Sequence, residues 1–559
     1  MYNELERTRL FKKIKTKKNL LKVLNVSEKK YDYLVYQKKK LYTSFFIKKK
    51  QGGFRKILSP CQELKKIQQD LNIILENNYS FNETVVQGFV KNHSIKTNAI
   101  IHKDSNYIVN IDLKDFFDSI HFGRVRGMFM KPPFNFSNYI ATNLAKITCY
   151  EKKLPQGTPT SPTISNIICY RMDRELAHLC KKNNCRYTRY ADDITISTKM
   201  LYLPKKIAKF SDGQVMLSNE IVNIIKEEGF TINTNKLQIS PNNQRQEVTG
   251  LIVNEKVNVK KVYIKNIRAL LNNAKKYGIY LAGCKYFEKA SINCSNRKII
   301  IKKFINALKG KIEFIKMVRG LDDYIYIKYA SQFNELIGYD YFDTDYGLPI
   351  EKFIEKRIYP LISYDEEVQG TCFMVDEIGM LTSTHILISK SSFTTVKKYE
   401  EINDKNEIDF LKEGGKPFYI LDHNNRRYII NPKITKKDIE TDILAYRCIT
   451  SKKKFKINVT YEPRIGEQIY LAGYGEFKNF NSSSINYIKC NVTGHEKFFK
   501  KRFICIDSKI YHGMSGGVVL NENREAIGII YAGLNLDKDG NTMSKTNGFI
   551  LFKDSKIIK

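Results

Sequence analysis

The decapeptide Thr188–Ser197, TRYADDITIS, constrains this chain more than any other stretch. After the adjacent carboxylates Asp192 and Asp193, apolar Ile194 and Ile196 alternate with polar residues, which is the period of a half-buried strand. The stretch therefore predicts a β-hairpin with the two carboxylates at its crown. Two neighbouring carboxylates repel each other unless a cation lies beside them. A solvated turn and a metal site both fit this pattern, and other parts of the chain have to distinguish them.

Length and charge limit the class of protein. A chain of 559 residues is too long for a single core, so we expect two or more domains. Hydrophobic residues make up 42% of it, which is ample for globular folding. The formal net charge of +36 favours polyanionic partners, because such a surface attracts phosphates through counterion release. An even spread of lysine is the alternative, and nucleic acid is the partner that we favour.

Cysteine usage and the absence of long apolar runs bear on the compartment. The 11 cysteines include no paired CxxC spacing, so we expect reduced thiols rather than a zinc site. The N-terminus lacks an apolar signal core, and no run approaches the ~20 apolar residues that span a bilayer. These patterns predict a cytoplasmic protein without a membrane partner.

A second acidic stretch supplies a partner for the Asp pair. The apolar, β-prone run Tyr107–Ile111 ends at Asp112, and strand ends commonly carry catalytic residues. Further upstream, residues 45–60 predict two short strands joined at Gly52 and Gly53, with a basic tip. An exposed basic hairpin and a clamp on a triphosphate both fit that tip.

Several motifs stand in the order of the palm motifs of reverse transcriptases, and the chain resembles the retron type of that family. These motifs are Asp112 followed by Phe117, LPQG at 154–157, YADD at 190–193 and GFTINTNK at 229–236. Two further elements, NAIIH at 98–102 and VTG at 248–250, match elements of retron enzymes. The resemblance covers about residues 1–335 and implies an α+β right-hand polymerase, with fingers and palm over 1–255 and a helical thumb over 256–335.

Polymerase chemistry explains why the motifs carry carboxylates. Nucleotidyl transfer builds charge on the attacking and leaving oxygens, which two divalent ions ~4 Å apart can stabilise. Mg²⁺ prefers oxygen ligands and is held by a few carboxylates together with substrate phosphates. We therefore expect two Mg²⁺ ions on Asp112 and Asp192, with Asp193 in support.

The resemblance to reverse transcriptases also implies roles for other residues. It makes Phe117 the steric gate that selects dNTPs, and Gln156 a residue that positions the nucleotide. Arg55 and Lys49 would hold its phosphates, and Lys236 is either a proton donor to pyrophosphate or an ordinary surface lysine. The retron elements imply contacts to RNA by Asn98, His102, Val248, Thr249 and Gly250.

The last third of the chain has a different pattern. Residues 336–365 show no clear period and predict a connector. From 366 to 559, short β runs bounded by turns indicate a sandwich or barrel. The segments LTSTH, DILA and GMSGG contain His385, Asp442 and Ser515 in that order. They resemble the trypsin-like serine proteases, which implies an all-β double-barrel domain.

The protease resemblance implies a catalytic triad. Ser515 would be the nucleophile, His385 the general base and Asp442 the residue that fixes the imidazole tautomer. The backbone N–H groups of Gly513 and Ser515 would form the oxyanion hole. Asp438 and Asp422 are alternative third members.

Two departures from the protease pattern concern activation and specificity. Met514 stands where activatable family members carry Asp, which excludes activation by a freed N-terminus. Lys509, six residues before Ser515, matches the position of the pocket floor and suggests acidic P1 residues. An inactive protease fold that only binds peptides is the alternative.

Together the resemblances imply a retron RNA-directed DNA polymerase that copies a cognate noncoding RNA into RNA-linked single-stranded DNA. The fused serine protease would be the effector in antiphage defence. The expected partners are that RNA, its DNA product, dNTPs and an unknown protein substrate. The pattern leaves open whether the chain forms an oligomer. The alternative is a non-retron bacterial reverse transcriptase with an inactive, peptide-binding protease fold.

Overall fold

A computed structural model of the chain separates into two compact units, Met1–Leu336 and Ile337–Lys559. The residues that it describes are 4–36, 41–48, 52–211, 214–288, 296–363, 369–375, 378–387, 418–421, 427–430, 434–438, 441–446, 453–475, 485–498, 501–511, 513–536 and 542–557. Within these ranges, no helix is long and apolar enough to cross a membrane. The cysteines in the same ranges carry no disulfide.

The first unit mixes helices with short strands. Its helices are α1 (Glu4–Phe11), α2 (Lys17–Leu24), α3 (Glu28–Tyr36), α4 (Gln62–Asn78), α5 (Ile95–Ile101), α6 (Phe122–Met130), α7 (Asn138–Thr148), α8 (Ser161–Ile168), α9 (Tyr170–Lys182), α10 (Asn219–Glu227), α11 (Lys261–Tyr277), α12 (Ile279–Glu288), α13 (Arg297–Arg319) and α14 (Tyr324–Ile337). Its strands are β1 (Tyr42–Lys48), β2 (Phe54–Pro60), β3 (Tyr107–Lys114), β4 (Arg186–Tyr190), β5 (Asp193–Thr198), β6 (Ala208–Ser211), β7 (Gln214–Leu217), β8 (Thr231–Ile232), β9 (Gln238–Pro241), β10 (Glu247–Val248) and β11 (Leu251–Ile252).

An antiparallel sheet at the centre of this unit positions the acidic residues. Its strand order is β4-β5-β3-β8, and β9 also pairs with β3. The register of β3 and β5 runs from Tyr107 opposite Thr198 to Asp112 opposite Asp193. Ile194 and Ile196 on β5 are fully buried, as their alternation predicts. The hairpin predicted from the decapeptide is therefore present, with its acidic residues at the crown.

Helices cover the sheet and build the rest of the core. In α4, Leu64, Ile67, Leu71 and Ile74 are buried at the spacing of one helical face. The helices α11, α12 and α13 pack against one another further along the chain. A Cβ atom on Gly283 of α12 would lie 2.9 Å from Cγ2 of Ile300, so only glycine permits this close helix approach.

The second unit is mostly β. Its strands are β12 (Ile358–Ser363), β13 (Gln369–Val375), β14 (Gly379–Ser383), β15 (Phe418–Leu421), β16 (Arg427–Ile430), β17 (Ile434–Asp438), β18 (Ile443–Tyr446), β19 (Gln468–Tyr474), β20 (Ile485–Phe498), β21 (Lys501–Ile506), β22 (Val518–Leu520), β23 (Ala526–Leu536) and β24 (Thr542–Leu551). Within the described residues, the short helices α15 (Ile350–Glu355) and α16 (Thr384–Leu387) accompany them.

These strands form a sheet and a closed barrel. The sheet has the order β16-β15-β12-β13-β14-β18-β17, and the barrel has the order β19-β20-β21-β24-β23-β22. Fully buried side chains fill the barrel core, among them Ile469, Leu471, Val519, Ile530 and Phe549. The predicted fold class, an α+β region followed by a β-rich region with a barrel, is confirmed.

The stretch predicted as a connector is part of the second unit. Ile358–Ser363 forms β12, which pairs with both β13 and β15 in the middle of the sheet. Arg357 is fully buried just before this strand, and it pairs with Asp343 and Asp345. Burial opposes ionisation of Asp345, but hydrogen bonds from Lys356 and Lys453 outweigh it and lower the pKa of this carboxyl group. The interpretation of 336–365 as a separate connector is corrected accordingly.

Candidate active sites

Three carboxylates meet at the crown of the central hairpin. Asp112 is 8% exposed and stands opposite Asp193 in the register of β3 and β5. Asp192 lies in the turn between β4 and β5, and its carbonyl oxygen accepts a 2.9 Å hydrogen bond from the backbone N–H of Leu113. We call residues 190–193 the acidic turn. The backbone thus brings together the three acids that the sequence predicts as a metal site.

Electrostatic repulsion marks this cluster as a place for a cation. Burial and the neighbouring Asp192 and Asp112 raise the pKa of Asp193 to about 7, although its side chain reaches solvent. Burial also raises the pKa of Asp192, and the negative charge of Asp112 adds to the effect. Both shifts mean that a nearby positive charge would stabilise the ionised carboxylates.

Lys236 and Asn233 occupy the oxygens of Asp112. Nζ of Lys236 donates to Oδ2 at 2.8 Å, and Nδ2 of Asn233 donates to Oδ1 at 2.9 Å. The backbone N–H of Asn233 also donates to the carbonyl oxygen of Asp112 at 2.8 Å. In the ranges that the structure covers, no group of three or more His, Cys, Asp or Glu side chains is arranged to hold a metal ion. The ammonium group of Lys236 places one positive charge beside Asp112.

The carboxylates suit a divalent ion by their chemistry. They offer the hard oxygen donors that Mg²⁺ and similar ions prefer. Asp112 and Asp193 line a cleft of about 1090 Å³, which is large enough for a nucleotide. Arg55 of β2 lines the same cleft and adds a fixed positive charge. Thr249 and Gly250 of the VTG element line it as well.

The predicted nucleotide-binding residues lie on different elements. Phe117 is half-buried, and its ring centroid lies 5.2 Å from that of Phe116 and 6.4 Å from that of Phe89. The carbonyl oxygen of Gln156 accepts a 2.9 Å hydrogen bond from the N–H of Leu58, which attaches the LPQG loop to β2. The remaining predicted phosphate ligand, Lys49, lies outside the described residues.

The polar residues of the NAIIH element at 98–102 are buried beneath the hairpin. Nδ1 of His102 lies 2.8 Å from Oγ of Ser197, and its Nε2 lies 2.7 Å from Oγ1 of Thr188. That hydroxyl donates to Oδ1 of Asn98 at 2.6 Å. Burial, with the charge of Arg186, lowers the pKa of His102 to about 3, so the imidazole is neutral at pH 7. These side chains bind both strands of the acidic hairpin together.

This burial corrects part of the predicted RNA surface. Asn98, His102 and Val248 are each 0% exposed, so their side chains have no surface to offer RNA. Thr249 and Gly250 have φ values of 46° and 86° and form the turn between β10 and β11. Only these two of the five residues remain available for contact. A spacing of Asn and His identifies the element but does not reveal its burial.

The predicted protease residues lie on neighbouring segments of the second unit. Ser383 at the end of β14 pairs with Ile443 at the start of β18. The N–H of Thr384 donates to the carbonyl oxygen of Asp442 at 2.9 Å. His385 follows directly in α16, so its backbone is adjacent to Asp442. The side chain of His385 lies outside what the structure describes, as does Asp422.

Ser515 lies in a tight, buried turn that contacts β13. It is 7% exposed, and its carbonyl oxygen accepts a 2.9 Å hydrogen bond from the N–H of Thr371. Oγ1 of Thr382 on β14 donates to the carbonyl oxygen of Thr371 at 2.8 Å. The turn needs glycine, because a Cβ atom on Gly516 would lie 2.3 Å from that same oxygen and its φ is 79°. Strands β13 and β14 thus connect the serine turn to the segment of His385.

Asp438 is an alternative third member of the triad, and Lys509 is predicted at the floor of the specificity pocket. Oδ2 of Asp438 accepts hydrogen bonds from Oγ of Ser555 at 3.0 Å and from the N–H of Lys556 at 2.7 Å. These contacts hold Ser555 and Lys556 beside β17. Lys509 is exposed, and its Nζ lies 5.8 Å from the ring centroid of Tyr511.

Comparison with known proteins supports the assignment of a polymerase region and a peptidase region. Residues 47–254 match the family model of the reverse transcriptase (RNA-dependent DNA polymerase), and residues 370–529 match that of the trypsin-like peptidase domain. The retron Ec86 reverse transcriptase of Escherichia coli is 35% identical over 259 residues, which cover 46% of this chain and 77% of that protein. The retron Mx162 reverse transcriptase of Myxococcus xanthus is 32% identical over 258 residues, which cover 42% of this chain and 53% of that protein.

Among solved structures, the HtrA-type protease AlgW with tripeptide is 16% identical and covers 35% of this chain and 56% of that one, with a TM-score of 0.25. The predicted polymerase and peptidase regions are confirmed by the family matches. The chain spans between about half and about three quarters of the two retron relatives.

Proposed function

Because this chain belongs to the retron reverse transcriptases and carries a trypsin-like peptidase domain, we propose that it copies a bound noncoding RNA into RNA-linked single-stranded DNA. The observation that supports this most strongly is Asp112 opposite Asp193, with Asp192 in the adjoining turn. The net charge of +36 adds a surface suited to RNA and DNA. We place this reaction in the cytoplasm, where RNA transcripts and dNTPs are present.

Two Mg²⁺ ions would be held by Asp112 and Asp192, with Asp193 beside them. When bound, such ions stabilise the charge on the attacking and leaving oxygens of nucleotidyl transfer. The three carboxylates supply hard oxygen donors, and repulsion among them favours any cation that enters. Lys236 would leave Oδ2 of Asp112 when a metal ion binds there, since an ammonium group and a metal ion on the same oxygen repel each other.

The remaining residues would bind the incoming nucleotide. Arg55 is in the same cleft as Asp112 and would pair with the triphosphate. Lys236, once released, would lie close enough to the same site to donate a proton to the leaving pyrophosphate. Phe117, next to the Asp112 strand, would exclude the 2′-hydroxyl of a ribonucleotide by contact with its ring.

Sequencing the nucleic acid that copurifies with the protein tests the proposed substrate. One structured RNA species joined to a short DNA is expected of a retron enzyme. A random mixture of cellular RNA would contradict that assignment and favour a bacterial reverse transcriptase without a dedicated RNA. The Asp192→Asn variant should carry the RNA but no DNA.

For the peptidase domain we propose serine protease activity, with Ser515 as nucleophile, His385 as general base and Asp442 as its partner. The support is the hydrogen bond from Thr384 to Asp442 beside His385, together with the glycine-dependent turn of Ser515. The N–H groups of Gly513 and Ser515 would stabilise the oxyanion. A fluorophosphonate probe should label the wild type and not Ser515→Ala. Absence of labelling with and without the bound nucleic acid would instead favour a peptide-binding module.

We further propose that this protease is the effector in antiphage defence and that the RNA–DNA product restrains it. The support is the fusion of two activities that share no substrate. Restraint predicts that nuclease treatment of the purified complex increases proteolysis of a casein substrate. Equal cleavage before and after treatment would contradict the restraint.

A further inference from the structure

A buried charge cluster lies directly beneath the acidic turn. Arg189 is 0% exposed, and its Nε and Nη2 donate to Oδ1 and Oδ2 of Asp173 at 2.8 and 2.7 Å. The side chain of Asp173 is only 5% exposed. A buried ion pair adds little net stability compared with apolar residues of similar size. Its presence here therefore suggests a purpose other than stabilising the core.

The third nitrogen of Arg189 reaches the acidic turn itself. Nη1 donates to the carbonyl oxygen of Ala191 at 3.2 Å and to Oδ1 of Asn166 at 3.0 Å. Ala191 has a φ of 58°, a left-handed conformation that residues with a side chain rarely adopt. This residue directly precedes Asp192. The guanidinium group thus holds the peptide that sets the direction of the Asp192 backbone.

Gly88 supports the peptide group on the other side of Ala191. A Cβ atom on Gly88 would lie 2.6 Å from the backbone nitrogen of Ala191, so the two backbones are in direct contact. Nδ2 of Asn166 donates to the carbonyl oxygen of Gly88 at 2.9 Å. Asn166 therefore connects the Gly88 segment with Arg189. Side chains from α8 and α9 and the Gly88 backbone together fix the unusual conformation of Ala191.

We propose that Arg189 is a positioning residue for DNA synthesis and that Asp173 and Asn166 orient it. The planar guanidinium group can bind a carboxylate with two nitrogens and still donate from the third, which a lysine cannot do. Loss of the third contact would let Ala191 relax toward a common conformation and move the Asp192 oxygens. This inference rests on the proposed role of the acidic turn in polymerisation.

Two Arg189 variants and one matched control test the inference in the full-length protein with its RNA. Arg189→Lys keeps the charge but removes the planar guanidinium group, whose three nitrogens donate to Asp173 and Ala191. Arg189→Met combined with Asp173→Leu removes the whole ion pair, a replacement that buried pairs often tolerate without loss of stability. Tyr187→Phe is the control, because the Tyr187 hydroxyl donates to Oδ1 of Asp173 at 2.8 Å in the same cluster. Among the described residues, the Tyr187 hydroxyl makes no hydrogen bond to the acidic turn.

The expected result separates positioning from folding. In variants that retain the wild-type Tm, kcat for dNTP incorporation should fall about 10- to 100-fold, because small misplacements of catalytic groups cost this much. The KM for dNTP should stay within about threefold of wild type. Amide hydrogen exchange in a peptide spanning residues 188–194 should become faster. Tyr187→Phe should leave all three quantities near the wild-type values.

Folded Arg189 variants with wild-type kcat would overturn the inference. An equal loss of kcat in Tyr187→Phe would do the same, since it would indicate a general loosening of the cluster. The assignment of the acidic turn is tested separately by Asp192→Asn. If that variant still synthesises DNA, the proposed site is wrong whatever the Arg189 variants do.

Discussion

The ammonium group of Lys236 donates a 2.8 Å hydrogen bond to Oδ2 of Asp112, and both residues line the same cleft. Asn233 holds the other oxygen of that carboxylate at 2.9 Å. Lys236 is therefore a cation within a cluster of three acids, and a divalent ion has to compete with it for Asp112. This competition has a measurable consequence.

Removing the ammonium group should strengthen the response to metal. In Lys236→Met, Mg²⁺ no longer displaces a bound cation, so we expect about 1 kcal/mol more stabilisation at saturating Mg²⁺. This corresponds to an increase in Tm that is larger than the wild-type increase by about 2–4 °C. Thermal unfolding with Mg²⁺ and with EDTA measures the difference. Lys199→Met, which removes an exposed ion pair with Asp104, is the control. Equal increases in all three proteins would contradict the competition.

Burial of His102 predicts a loss of stability in acid. Its pKa is about 3 in the folded protein and near 6.5 in the unfolded chain, so the unfolded state binds the extra proton between these values. The contribution of neutral His102 is complete above pH 6.5 and declines as the pH falls toward 3. At pH 5 the loss is about 2 kcal/mol.

The measurement compares thermal unfolding at pH 7 and pH 5. His102→Gln should lose about 2 kcal/mol less than wild type over this interval. The exposed His178, changed to Gln, should leave the pH dependence of wild type intact. A His102→Gln variant with the wild-type pH dependence would show that this imidazole is not buried in its neutral form.

The third member of the protease triad can be identified by two isosteric changes. Asp442→Asn should slow fluorophosphonate labelling of Ser515 by about 10³- to 10⁴-fold, because the imidazole would lose the group that fixes its tautomer. Asp438→Asn should instead destabilise the domain by about 1–3 kcal/mol, since its carboxylate accepts two hydrogen bonds near the chain end. The labelling rates and Tm values of both variants show which aspartate is the third triad member. The assignment is reversed if Asp438→Asn abolishes labelling and Asp442→Asn does not.

The sequence predicts features that depend on neighbours along the chain. The period of two in Ile194 and Ile196, next to an acidic pair, predicts the hairpin and its crown, and both are present. The contacts of Asn233 and Arg189 could not be predicted in this way. Their partners lie 121 and 16 residues away, and only the folded sheet brings them together.

Two expectations failed for identifiable physical reasons. Asn98 and His102 are polar, which suggests a surface role, but both bond to the hydroxyl group of Thr188 and are fully buried. The strand at Ile358–Ser363 contains Pro360, and proline within an apolar run argues against a central strand. Residues 336–365 are therefore predicted as a connector, although β12 lies within the sheet.

DNA synthesis by Asp192→Asn is the most direct test of the acidic turn as the polymerase centre. The substitution keeps the size of the side chain and removes its negative charge, so a metal ion would lose a ligand while the fold is retained. We predict that DNA synthesis on the copurified RNA is abolished while RNA binding stays within about threefold of wild type. Asp104→Asn, at an exposed ion pair outside the turn, should synthesise DNA normally. DNA synthesis at the wild-type rate by Asp192→Asn would contradict the account.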